Sequence, residues 1–178
     1  GSTESIKSFV FTDSSTCYTV GIKGIIKKTT DACQHWSVLN SGTLKQLNKI
    51  YSIKNNIFII GDSGIALRST DAGQTWTSQI LNINCNLNSI FFTNESTGYI
   101  VGSKGYIYKT TDAGISWLPI KSGTNDNFLS VFFTDSNTGY VVFSNFLLKT
   151  TDAGITWTQI NTGSQVALFS VNFTNKST

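Results

Sequence analysis

The chain has 178 residues, 39% of them hydrophobic and 12% aromatic, which is enough apolar mass for one domain with a buried core. Only 13% are charged, the net charge is +3, and the cations stand singly apart from Lys27-Lys28, so the electrostatic footprint of a nucleic-acid binder is missing. No apolar run approaches the roughly 18–20 residues of a bilayer-spanning helix, and membrane insertion is not expected.

In chain order, one turn sequence dominates. Thr30-Asp31-Ala32-Cys33-Gln34-His35-Trp36 returns around Asp71, Asp112 and Asp152, at steps of 40, 41 and 40 residues. A fixed period of this size is a repeat architecture, in which each unit buries its apolar faces against its neighbours. Units are predicted at about 6–39, 44–81, 87–120 and 128–160 within a single domain of residues 1–178. Each runs through four short β-rich stretches. In the third these are roughly Asn88–Thr93, Gly98–Val101, Tyr106–Thr111 and Ser116–Ile120, separated by Gly-, Asn- or Asp-containing turns. No segment carries helical periodicity over more than a turn. Four strands per ~40 residues predict an all-β protein, a β-propeller of four-stranded antiparallel blades.

A fifth copy begins and stops. Leu168-Phe169-Ser170-Val171-Asn172-Phe173-Thr174-Asn175 repeats the first strand of a unit, so four complete blades plus one extra strand over 168–175 are expected. That count does not divide into whole blades. It points to a piece of a longer, seven-bladed propeller, or to a homo-oligomer through open propeller ends.

The turns have their own chemistry. Glycines bracket the second turn of the first three units, at Gly21 and Gly24, Gly61 and Gly64, and Gly102 and Gly105, where a positive φ costs a glycine little. The fourth unit has Phe143-Ser144-Asn145-Phe146 there, one residue shorter. In the repeated turn, Asp31, Asp71, Asp112 and Asp152 are expected to accept backbone N–H bonds within their own hairpins. Trp36, Trp76, Trp117 and Trp157 are expected to wedge between sheets. An aspartate that recurs in every unit reads as structural, not catalytic. The cations three residues earlier, Lys28, Arg68, Lys109 and Lys149, read as solvated strand positions.

His35, the single histidine, gives neither a triad nor a metal site. Cys17 and Cys33 each replace a glycine of the repeat, both in the first unit. The first and third turns of an up-and-down sheet share an edge, so a disulfide between them is expected. Cys85 lies in the linker between the second and third units.

The turn Ser69-x-Asp71-x-Gly73-x-Thr75-Trp76 is similar to the Asp-box, or bacterial neuraminidase repeat. The longer unit, Phe-Phe-Thr-Asp/Asn-x-x-Thr-Gly-Tyr-x-Val-Gly-x-x-Gly followed by Lys-Thr-Thr-Asp-Ala-Gly-x-x-Trp, resembles the repeats of the photosystem II stability/assembly factor family over residues ~6–175. The resemblance implies a propeller with the box between the two outer strands of each blade. It also implies that second turns and linkers open on one face. Candidate ligand-binding residues there are Lys23, Asp62, Ser63, Lys104, Asp126, Asn127, Asn145 and Phe146.

Departures from such families narrow the function. Sialidases of this fold hold the substrate carboxylate with three Arg, and Arg68 is the single Arg here. The same shortage weighs against the Arg-rich patch expected of a photosystem assembly factor. A glycosidase needs two carboxyls flanking the bond, and Asp62 and Asp126 are the only pair here with non-repeat character. The sequence therefore predicts a non-enzymatic binding or scaffolding module without cofactor or metal, recognising a glycan or a protein. Low charge and abundant Asn, Thr and Ser suggest a bacterial secreted, periplasmic or cell-surface protein. An assembly-factor-like chaperone for a membrane complex comes second, and a fragment of an Asp-box glycoside hydrolase third.

Overall fold

The computed structural model describes residues 5–81 and 83–172. The chain divides into two compact units at Leu87/Asn88, and each holds two four-stranded antiparallel sheets. In the first unit these are β1 (Ile6–Phe11), β2 (Cys17–Gly21), β3 (Ile26–Thr29) and β4 (Ser37–Leu39), then β5 (Leu47–Ile53), β6 (Asn56–Gly61), β7 (Ile65–Ser69) and β8 (Thr77–Ile80). In the second unit they are β9 (Leu87–Phe92), β10 (Gly98–Gly102), β11 (Ile107–Thr110) and β12 (Leu118–Ile120), then β13 (Ser130–Phe133), β14 (Gly139–Phe143), β15 (Phe146–Thr150) and β16 (Thr158–Asn161). Strands follow one another in every sheet as in the chain, which is the up-and-down order of a propeller blade. Each fourth strand starts immediately after its Trp, because the Trp still belongs to the turn.

Period-2 alternation gives each blade two faces. In the first blade Val10, Tyr18, Val20 and Ile26 face the second, where Leu47, Ile50, Ile57, Ile59, Ile65 and Leu67 complete the core. In the second unit Tyr99, Val101 and Ile107 meet Phe128, Val131, Phe133, Val141, Phe143 and Leu148. The core of each unit is thus the seam between its two blades. Tyr99 and Phe133 stack across the second seam with centroids 4.0 Å apart.

The second turns meet the glycine expectation at Gly24, Gly64 and Gly105, which lie at φ 69°, 71° and 71°, and depart from it elsewhere. In the first three blades they are single 3-10 turns whose middle residue is Lys23, Ser63 or Lys104, at φ 55°, 55° and 59°. The leading glycines Gly21, Gly61 and Gly102 are extended instead. Their reason is space: a Cβ on Gly61 would lie 2.1 Å from the Gln46 carbonyl oxygen. In the fourth blade Phe143 pairs directly with Phe146, a two-residue hairpin with Ser144 at φ 46°.

Leu168–Asn172 pair with no strand, yet they enter a first-strand position. Leu168 N–H donates to Ser144 O at 2.6 Å and Val171 N–H to Ser130 Oγ at 3.4 Å. One repeat earlier, Phe128 N–H and Val131 N–H make the same contacts with Gly102 O and Ser89 Oγ. Residues 173–175 of the predicted strand lie outside the described residues.

Candidate functional site

The repeated turn is a closed hydrogen-bond cage. The Ser69 hydroxyl donates to Asp71 Oδ1 at 2.8 Å and accepts the Gly73 N–H at 2.8 Å. Thr75 then gives its N–H to Oδ1 at 2.9 Å and its hydroxyl to Oδ2 at 2.5 Å. Thr110-Asp112-Ser116 and Thr150-Asp152-Thr156 repeat the pattern. In the first blade His35 stands in for the hydroxyl residue, with Nδ1 2.6 Å from Asp31 Oδ2. These donors favour the ionised carboxylate. The Thr75 hydroxyl, then the Thr75 N–H and the Ser69 hydroxyl, hold Asp71 at about 2 against an ordinary 3.8. Asp112 and Asp152 lie at about 2 for the same reasons, and Asp31 is lowered by the His35 N–H, the Thr29 hydroxyl and the His35 ring.

The cage holds the following Ala in the left-handed region, at φ 55–59° for Ala32, Ala72, Ala113 and Ala153. The carbonyls of Ala72 and Ala153 are thereby turned toward the preceding blade of their own unit. Within the first unit Ala72 O accepts the Tyr18 hydroxyl at 2.9 Å and Lys28 Nζ at 3.2 Å. Within the second, Ala153 O accepts the Tyr99 hydroxyl at 2.8 Å and Lys109 Nζ at 2.9 Å. Each Lys also lies over its own blade's Tyr ring, 5.3 Å away for Lys28 and 5.5 Å for Lys109. Lys28 and Lys109 are therefore inter-blade clamps, which corrects the solvated-strand expectation. Burial, with the Asp152 charge second, pushes the Tyr99 hydroxyl up to about 12.

The candidate ligand-binding residues are mostly occupied with holding linkers to turns. In the first unit Lys23 is exposed, Asp62 accepts Asn48 Nδ2 at 2.9 Å, and Ser63 N–H reaches Asn86 Oδ1. In the second, Lys104, Asp126 and Asn127 come together: Asn127 Oδ1 accepts the Lys104 N–H at 3.2 Å and Asp126 O the Gly105 N–H at 2.6 Å. The Asp126 carboxylate accepts the Thr124 hydroxyl. Asn145 gives its amide to Ser164 O at 3.2 Å. The partly buried Phe146 ring stacks on Phe143 at the edge of the core.

Two hollows that the sequence did not indicate flank the edge strand β12. One, of about 460 Å3, lies between the third and fourth blades and is lined by Lys109, Ser116, Leu118, Pro119, Ile120, Lys121 and Ile155 among others. The other, of about 600 Å3, runs from Pro119, Ile120 and Lys121 past Tyr106 to the Lys104 turn. Together they trace an open path along β12 with exposed Leu118 and Ile155 at one end and Lys104 and Lys121 at the other. Leu118 and Ile155 occupy variable positions beside the turn motif, and no pattern marks them. In the first unit a more polar hollow of about 490 Å3 is lined by Asp13, Lys28, Lys54 and Asp71 among others. Ser15 and Thr16 hold Asp13 at about 2. Among the described residues no group of three or more His, Cys, Asp or Glu could hold a metal ion.

Consecutive four-stranded blades, each closed by an Asp-box and clamped in pairs within each unit, define a BNR-type β-propeller fold. The chain belongs to the family described as Photosynthesis system II assembly factor YCF48, whose family model matches residues 2–84 and again 76–168. Among solved structures it is similar to a YCF48 bound to D1 peptide, with 21% identity, a TM-score of 0.74, and coverage of 95% of this chain and 57% of that one. YCF48 from Cyanidioschyzon merolae gives 18%, 0.73, 96% and 60%. The GH74 enzyme of Niastella koreensis gives 20%, 0.70, 83% and 28%. The chain thus spans less than two thirds of the YCF48 chains it resembles. No curated protein matches it significantly in sequence.

Proposed function

We propose that the chain is a non-enzymatic, assembly-factor-like module that holds an extended segment of a partner protein along the outer edge of its third blade. The observation that carries this reading is the pair of hollows sharing Pro119, Ile120 and Lys121. Leu118 and Ile155 offer apolar contacts, while Lys104 and Lys121 favour a carboxylate, either an acidic side chain or a free C-terminus. Pro119 has no N–H to donate, so the segment docks through side chains and not as a full added strand.

Family membership and the peptide-bound relative support a polypeptide ligand. The order of the expectations from sequence is therefore reversed: the assembly-factor reading moves ahead of the glycan-binding scaffold.

Fluorescence-polarisation titration of acidic, apolar-containing peptides tests the proposal, with sequence-scrambled and charge-reversed peptides as controls. Binding that Lys121→Glu and Leu118→Asp both weaken is the expected result. Binding indifferent to both substitutions, or selective retention of a glycan with no peptide bound, would overturn it.

A further inference from the structure

The first blade differs from its neighbours at two coupled positions. Where the third and fourth blades have Gly98 with Gly114 and Gly139 with Gly154, the first has Cys17 with Cys33. Three contacts bring the two cysteines to one spot. Cys17 is the β-ladder partner of Thr29. The Cys33 N–H donates to Thr29 Oγ1 at 3.2 Å. Ala32, next to Cys33, donates its N–H to Ser15 O at 2.9 Å, two residues before Cys17. Both side chains lie on the face turned away from the second blade, the side on which an added Cβ at the equivalent Gly73 would meet the ring of the preceding Tyr18 at 3.2 Å.

The glycines that stand at the Cys17 position in the third and fourth blades are closely packed. A Cβ on Gly139 would come within 2.5 Å of the Phe133 ring, and one on Gly98 within 2.7 Å of Phe92. Phe92 and Phe133 are each 3% exposed. Their counterpart Phe11, beside Cys17, is 50% exposed. Cys17 is itself 2% exposed, while Cys33 is open to solvent at φ 72°.

We propose that Cys17 and Cys33 form a dithiol–disulfide pair that staples the first turn of this blade to its Asp-box, with exposed Cys33 as the attacking thiol and buried Cys17 as the resolving one. The oxidant is a small disulfide such as glutathione disulfide. The Cys33 thiolate attacks one of its sulfurs, the S–S bond breaks, and one glutathione leaves as thiol. Cys17 then gives up its proton, its sulfur attacks the Cys33 sulfur, and the second glutathione leaves. Two protein thiols are oxidised and one glutathione disulfide is reduced to two glutathiones. Burial, followed by the neighbouring Cys33 thiol, raises Cys17 above the usual thiol range, so the first attack falls to the exposed Cys33 and Cys17 acts once the mixed disulfide lies beside it. Such a staple would persist in an oxidising compartment.

The test is equilibration of the intact protein with glutathione disulfide, acid quench, denaturing alkylation and peptide mass mapping. The expected product is a Cys17–Cys33 cross-link with Cys85 alkylated, and a melting temperature raised by roughly 5 °C or more. Cys33→Ser should abolish both changes. Cys17→Gly, which restores the residue of the third and fourth blades, should trap one glutathione on Cys33. Wild-type protein in which both thiols are alkylated, or in which Cys33 keeps its glutathione without cross-linking, would sink the proposal. So would a Cys17→Gly protein that gains no glutathione.

Discussion

The hydroxyl of Tyr99 donates to the carbonyl oxygen of Ala153, 54 residues away, at 2.8 Å. This bond joins a buried strand of the third blade to the Asp-box of the fourth. Tyr99→Phe removes the donor and leaves Ala153 O to Lys109 alone. A loss of about 1 kcal/mol is expected, seen as a melting temperature lower by about 2–4 °C. An unchanged melting temperature would mean that the clamp carries no stability.

The same hydroxyl predicts an alkaline limit. Its pKa in the folded protein is about 12, above the ordinary 10, so between these values the unfolded chain holds fewer protons than the native one. Stability present below pH about 10 should fall as pH rises toward about 12. Urea midpoints measured across this window should decline less steeply in Tyr99→Phe.

At the acid end the sign is opposite. Asp71, Asp112 and Asp152 ionise at about 2 when folded against 3.8 ordinarily, so the unfolded chain binds more protons as pH falls. Stability is expected to be complete above pH about 4 and to be lost as pH falls toward about 2. Asp112→Asn should lower the melting temperature at neutral pH and flatten its decline on acidification. A parallel decline in variant and wild type would locate the acid sensitivity elsewhere.

Gly139→Ala places a Cβ into the Phe133 ring. Overpacking of this kind costs about 1–3 kcal/mol. A second substitution, Phe133→Val, opens room for the Cβ and should recover part of the loss, a coupling that a double-mutant cycle measures. Simple additivity would contradict the clash.

Leu118→Asp and Lys121→Glu alter exposed side chains on and beside the edge strand. Both should leave the melting temperature within about 2 °C of wild type, as solvent-facing substitutions do. Lys121→Glu should weaken an acidic peptide roughly tenfold, a change of about 1.4 kcal/mol. A large thermal shift would assign these residues to packing.

The blades were legible because their signals are local. Asp71, the Ser69 two residues before it and the Thr75 four after it all meet inside one turn, so the sequence spacing contains the geometry. Lys28 was misread because its acceptor, Ala72 O, lies in the next repeat and is a backbone atom. A trace of the clamp was nevertheless present. Where Phe58 replaces the tyrosine, Arg68 replaces the lysine, both in the second blade. The groove left no such trace, because Leu118 and Ile155 become neighbours only when two blades pack. The structural duties of the candidate loop residues were hidden for a different reason. Asn145 and Asn127 look free to meet a ligand in sequence, yet turns and linkers consume polar groups to satisfy their own backbone.

The left-handed alanine gives the paired repeats of each unit a polarity. Tyrosine and lysine of the first and third blades act as a plug, and the alanine carbonyl of the second and fourth acts as its socket. A unit carrying both halves brings its own joint wherever it is placed. Tandem duplication of such a unit lengthens the array without requiring any new contact to be invented, and reversal of a unit's orientation would leave two plugs facing each other.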